Sequence, residues 1–110
     1  MTIEEYQRQA ARTINWELCD KDNQMHALHG MASEVGEIHG LYQKVYQGHK
    51  IDTEHLKLEV GDLLWFIAEF CTANGWSMAD MCEKNIRKLR NRYPRGFDSE
   101  HSLHRRKGDV

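Results

Sequence analysis

Two segments of the 110-residue chain set carboxylates three residues apart inside apolar sequence: Glu34-Val35-Gly36-Glu37 and Glu59-Val60-Gly61-Asp62. Residues i and i+3 share one face of a helix, so each segment offers a pincer of two acids. Two such helices side by side bring four carboxylates together, which repel one another and resist desolvation until a cation neutralises them. All-oxygen donors select a hard divalent ion, Mg²⁺ or alternatively Mn²⁺, over zinc or copper. Either pair alone reads as a solvated helix face. Two pairs, each enclosing Val-Gly, read as one metal site in a bundle core, because the 21 residues between Glu37 and Glu59 suffice for a helix end, a loop and an antiparallel return.

The elements that would position these acids follow from apolar periodicity and capping residues. Thr2 with Glu5 forms a capping-box pattern, and Tyr6, Ala10 and Ile14 continue an apolar stripe, which predicts a first helix from about Ile3 to Thr13. Asp22 or Asn23 is the expected cap of a second helix that runs to about Tyr46 through Met25, Leu28, Ala32, Val35, Ile38, Tyr42 and Val45. Asp52 or Thr53 opens a third, stopped at Asn74-Gly75. Ser77 with Asp80 opens a fourth, which ends before Pro94, the only proline. No strand pattern or long-period repeat is present. The expected fold class is all-α, a four-helix bundle-like protomer with residues 95–110 as an extended arm or partly disordered tail.

Leu56, Leu58, Val60, Leu63, Leu64, Trp65, Phe66, Ile67 and Ala68 cover nearly the whole third helix apart from its acid stripe. A helix apolar all round must be buried all round, and so short a chain does not supply the cover. A homo-oligomer, a homodimer or homotetramer built on two-fold symmetry, is therefore expected. Gly36 and Gly61, each in mid-helix, suggest close backbone approach between the two acid-bearing helices, because glycine there costs ~1 kcal/mol relative to alanine.

Net charge is −2, but residues 1–83 hold 14 acids against 6 Lys/Arg while residues 84–110 hold 3 against 9. The acidic part suits cations and the basic part anions, and a metal-bound polyphosphate carries both. The basic tail by itself also fits RNA or DNA, or a merely solvated run. Cys19, Cys71 and Cys82 are odd in number and lack any Cys-x-x-Cys pair, which argues against a disulfide framework or a zinc knuckle. No apolar stretch approaches the ~20 residues of a membrane span, and Met1-Thr2-Ile3-Glu4-Glu5 does not open like a signal peptide, so a cytoplasmic protein is expected.

Ser33-Glu34-Val35-Gly36-Glu37, Glu59-Val60-Gly61-Asp62-Leu63-Leu64-Trp65, Glu83-Lys84-Asn85-Ile86-Arg87-Lys88-Leu89 and Arg92-Tyr93-Pro94-Arg95-Gly96-Phe97 together resemble the MazG-like nucleotide pyrophosphohydrolases. The resemblance runs from about Tyr6 to Phe97 and implies a domain over residues 1–97 followed by a basic tail over 98–110. It departs from the family at Ser33, where a second glutamate often opens the first motif. It implies Mg²⁺-dependent hydrolysis of a nucleoside triphosphate between the α- and β-phosphates, giving a monophosphate and pyrophosphate. Glu34, Glu37, Glu59 and Asp62 would hold the metal, with Glu34 the choice as general base and Glu37 the second catalytic acid. Lys84, Lys88, Arg92 and Arg95 would meet the β- and γ-phosphates, and Asn85 a sugar or phosphate oxygen. Phe66, four residues after Asp62, would stack on base or sugar, although core packing is the commoner fate of such a ring.

Two other readings compete. In the first, a non-catalytic bundle uses the acids for a structural ion and the arm for nucleic acid or a partner protein, although nucleic acid is not the expected partner. In the second, His26 and His29 join the acids in a di-iron site, but the Glu-x-x-His pattern of such bundles is missing. His26, His29, His39 and His55 read as surface or satisfied histidines.

Overall fold

The computed structural model describes residues 1–110 and is helical throughout: α1 (Ile3–Ala10), a 3-10 turn (Ala11–Thr13), α2 (Asp20–Val45), α3 (Thr53–Ala73), α4 (Met78–Arg92) and α5 (Ser99–Leu103). Contacts divide the chain into two compact units, Met1–Met78 and Ala79–Val110. No helix is long and apolar enough to cross a membrane.

In the first unit, α2 packs along α3, and α1 lies against α3. The expected capping box opens α1, with Thr2 accepting from the Glu5 amide and Glu5 reaching back to the Thr2 amide. The helix tightens at Ala11, three residues earlier than the pattern implied. Trp65 of α3 holds that turn, its indole donating to Ala10 O at 3.1 Å and Thr13 Oγ1 at 2.8 Å. α2 also begins earlier than expected. Cys19 is the N-cap, with no side-chain bond, and Asp20 and Asp22 fill the first turn, where they favour the positive end of the helix dipole. Asn23, expected as a cap, is instead 2 % exposed inside α2, donating to Asn15 O at 3.2 Å. Asp52 caps α3 as expected through the His55 amide at 3.1 Å, and Gly75 ends it at φ +72.

Facing pairs fix the register of α2 on α3. Gln24 donates to Ala73 O, His26 meets Glu69, Gly30 lies under Phe66 and Glu34 lies beside Glu59. Moving forward along α2 means moving back along α3, so the helices are antiparallel, as the spacing of the acid pairs required.

One expectation about packing fails. A Cβ built on Gly36 or Gly61 meets nothing within 4 Å, so neither glycine serves a close approach within the chain; that role belongs to Gly30, where a Cβ would lie 2.2 Å from the Phe66 ring. Gly36→Ala and Gly61→Ala are therefore expected to stabilise the isolated chain by about 0.5–1 kcal/mol each, from helix propensity alone, read as the midpoint of urea unfolding. As expected, one chain does not bury α3 all round. Leu58 is 70 % exposed and Val60 and Leu64 are more than 40 % exposed, because α1 and α2 cover only part of its circumference.

In the second unit α4 ends at Arg92, ahead of Pro94, as expected. The segment read as an extended arm contains α5, capped by Asp98 through the His101 amide at 2.8 Å. The following residues are also fastened. Arg92 donates from Nε to Asp109 Oδ2 at 2.8 Å and from a terminal nitrogen to Oδ1 at 2.7 Å and to Val110 O at 3.2 Å. Low apolar content hid this ordering, because it is carried by one ion pair and one cap.

Candidate functional site

Glu34 of α2 and Glu59 and Asp62 of α3 present carboxylate oxygens that all lie within 4.8 Å of one another. The antiparallel register brings Glu34 level with the Glu59 and Asp62 pair, but the expected convergence of all four acids is not met. Glu34 Oε2 is fully buried and has no hydrogen-bond partner. Glu37 is exposed and lies outside this group of three, although its charge adds to the repulsion felt by Glu34.

The electrostatics are those of crowded acids. The Glu34 carboxyl is pushed up from 4.5 to about 7, chiefly because its protonated form donates to Glu59, then by burial and by the charges of Glu59, Asp62 and Glu37. Glu59 moves the other way, lowered by that same hydrogen bond and by His55, whose Nε2 lies 2.9 Å from Oε1. Tyr6 of α1 is raised by burial and then by the Asp62 charge, which places its phenol near the site.

A group whose native pKa exceeds its unfolded value stabilises the fold below the unfolded value and loses that contribution as pH rises through the native one. Without divalent ions, Glu34 should thus make the protein less stable at pH 8 than at pH 5.5. The lowered Glu59 acts below 4.5, outside this window. Thermal melts in chelator at the two pH values should show the fall, and Mg²⁺ should flatten it by replacing the shared proton.

The donor set fits a hard divalent cation. It is all carboxylate, it is close enough to share one small ion, and its orphaned buried oxygen lacks only a positive partner.

Away from the acids, Phe66 packs over Gly30, edge-on to Trp65 with centroids 5.1 Å apart and tilted against His26 at 5.7 Å. His26 is a satisfied histidine, its Nδ1 lying 2.9 and 3.0 Å from the two oxygens of Glu69. The sequence reading passed over Glu69. A signal was available, because Glu69 lies seven residues beyond Asp62, nearly two turns on and so on the same helix face, as an acid within the apolar run Leu63–Cys71.

The residues expected at the phosphates all belong to the second unit. Lys84 pairs with Asp80 at 3.1 Å, Asn85 and Arg95 are exposed, and Lys88 lines a cavity of about 480 Å³ with Asn91, Arg106, Lys107, Gly108, Asp109 and Val110. Arg92 is only 9 % exposed and its guanidinium is engaged by Asp109, so in this structure it anchors the end of the chain.

An all-helical protein that gathers carboxylates from two antiparallel helices, with an orphaned oxygen among them, belongs to the class of carboxylate-centred helical bundles. Residues 22–97 match the family model of the MazG nucleotide pyrophosphohydrolase domain, which covers more than half of the chain and both acid-bearing segments. The chain belongs to the MazG nucleotide pyrophosphohydrolase family. No curated protein and no solved structure matches it.

Proposed function

We propose that this protein hydrolyses nucleoside triphosphates, ribo or deoxy, to the monophosphate and pyrophosphate by attack of water at the α-phosphate. The observation that carries the reading is the convergence of Glu34, Glu59 and Asp62, with Glu34 Oε2 buried and unpartnered, inside the region matched by the family. These three residues would hold Mg²⁺ or Mn²⁺, with Glu37 one helical turn from Glu34 as the fourth acid. Bound there, the ion would neutralise phosphate charge and acidify a water molecule.

The chain's own groups do the rest. Glu34 is the carboxylate we assign to take the proton of the attacking water. His55 steadies the neighbouring acid Glu59. Within the second unit Lys88, Arg106 and Lys107 line one cavity, and these cations, with Lys84, Asn85 and Arg95, are the donors we assign to phosphate oxygens. Arg92 joins them only by exchanging Asp109 for phosphate. The exposed Leu58, Val60 and Leu64 support assembly as a homodimer or homotetramer.

The test is product analysis across the common nucleoside triphosphates, with Mg²⁺ and with chelator. Equal amounts of monophosphate and pyrophosphate, formed only with the ion, are expected. Orthophosphate as the product, or no turnover of any nucleotide, overturns the reading.

A further inference from the structure

The Glu69–His26 pair has no part in the chemistry above. Glu69 is 1 % exposed and His26 is its sole hydrogen-bond partner. A buried carboxylate is a costly way to fill a position that a leucine would fill with gain. What this one accomplishes is to fix an imidazole whose side chain remains 54 % exposed. In the tautomer whose Nδ1 donates to Glu69, the imidazole carries its lone pair on Nε2, for which no hydrogen-bond partner stands in the protein.

The placement of this ring follows the α2–α3 seam. Glu34, Glu59 and Asp62 stand at one level, Phe66 over Gly30 at the next, and His26 with Glu69 at the third. Eight residues separate His26 from Glu34, about 12 Å along α2. A nucleotide runs through phosphate, sugar and base in that same order. A nucleotide laid along this seam with its α-phosphate at the acids would bring its sugar toward Phe66 and the edge of its base toward His26.

We propose that His26 reads the nucleobase, accepting at Nε2 a hydrogen bond from the exocyclic amino group of cytosine or adenine, and that Glu69 is the positioning residue that sets the ring and its tautomer. The inference rests on the proposed hydrolysis for the placement of the α-phosphate. A base with a carbonyl at the equivalent position sets oxygen against the Nε2 lone pair and leaves both acceptors unpaired, which a site built around a hydrogen bond rejects strongly.

Two matched pairs isolate that one group: dCTP against dUTP, and dATP against dITP. The wild-type protein is expected to favour the amino-bearing member by roughly tenfold or more in kcat/KM. In His26→Leu combined with Glu69→Leu, which removes both partners and leaves no buried charge to unfold the chain, the ratio should fall to near one. Loss of packing alone would lower all four rates and leave the ratios unchanged, which overturns the proposal. A second arm needs no turnover. In protein with ¹⁵N-labelled histidine, dCMP should move the His26 Nε2 resonance and dUMP should not. Hydrolysis without a His26-dependent preference and with a silent Nε2 sinks the base-reading role while the hydrolase reading stands. Selective movement of Nε2 by dCMP in a protein that hydrolyses nothing does the reverse.

Discussion

Asp62→Asn is expected to lower pyrophosphate release by roughly a hundredfold or more, since the metal's charge stabilisation in such reactions is worth several kcal/mol. In the absence of divalent ions the same substitution should raise the melting temperature. The two effects share one cause. Asp62 brings a negative charge to within 4.8 Å of two other carboxylates and is among the charges that push Glu34 up to about 7, so the metal-free fold carries repulsion that asparagine relieves. The stabilisation that Mg²⁺ gives to the wild type should shrink in the variant, because one charged ligand is gone. Glu34→Gln should act in the same direction on both measurements. It should weaken Mg²⁺ stabilisation less than it weakens turnover if the Glu34 carboxylate takes the proton of the attacking water. A variant that loses activity and also melts lower without metal would show that Asp62 is held by partners other than its fellow acids, and the cluster would lose its meaning.

The parts of this molecule that sequence made legible are those governed by local rules. Helix period marked the acids of both motifs, and the structure gathers Glu34, Glu59 and Asp62 but leaves Glu37, expected as the fourth, exposed outside the group. The capping residues Thr2 and Asp52 and the stop at Gly75 follow from chemistry contained within a few residues of each. Where sequence misled, the deciding contact was distant. Gly36 and Gly61 drew attention through their matching motifs, yet the glycine that a neighbour needs is Gly30, and its neighbour is a ring 36 positions away. Arg92 was expected at the phosphates from the family resemblance. Its partner Asp109 lies 17 residues on, in a stretch whose low apolar content suggested no order. Glu69 was missed for a different reason. Its facing histidine was legible only once the register of α2 on α3 was known, although the seven-residue step from Asp62 was in plain view.

Gly30→Ala tests that register directly. A methyl group at position 30 would lie 2.2 Å from two ring carbons of Phe66, well inside contact distance, and the ring is boxed by Trp65 and His26. Alanine favours the helix by ~1 kcal/mol over glycine, while forcing a packed ring aside costs about 1–3 kcal/mol, so the balance falls on net destabilisation. For a domain of this size each lost kcal/mol lowers the melting temperature by about 4–8 °C. Gly30→Ala combined with Phe66→Leu separates sterics from any other cause. Leucine vacates the space that the new methyl enters, so the double variant should be more stable than the sum of the two single losses predicts, a coupling readable by a double-mutant cycle in urea. The contrast with Gly36→Ala and Gly61→Ala is in sign. All three changes have the same helix-propensity gain, and only at position 30 does the opposing helix stand in the way. Additive losses in the cycle would mean that Phe66 does not sit on Gly30, and the line from the acids to His26 would have to be redrawn.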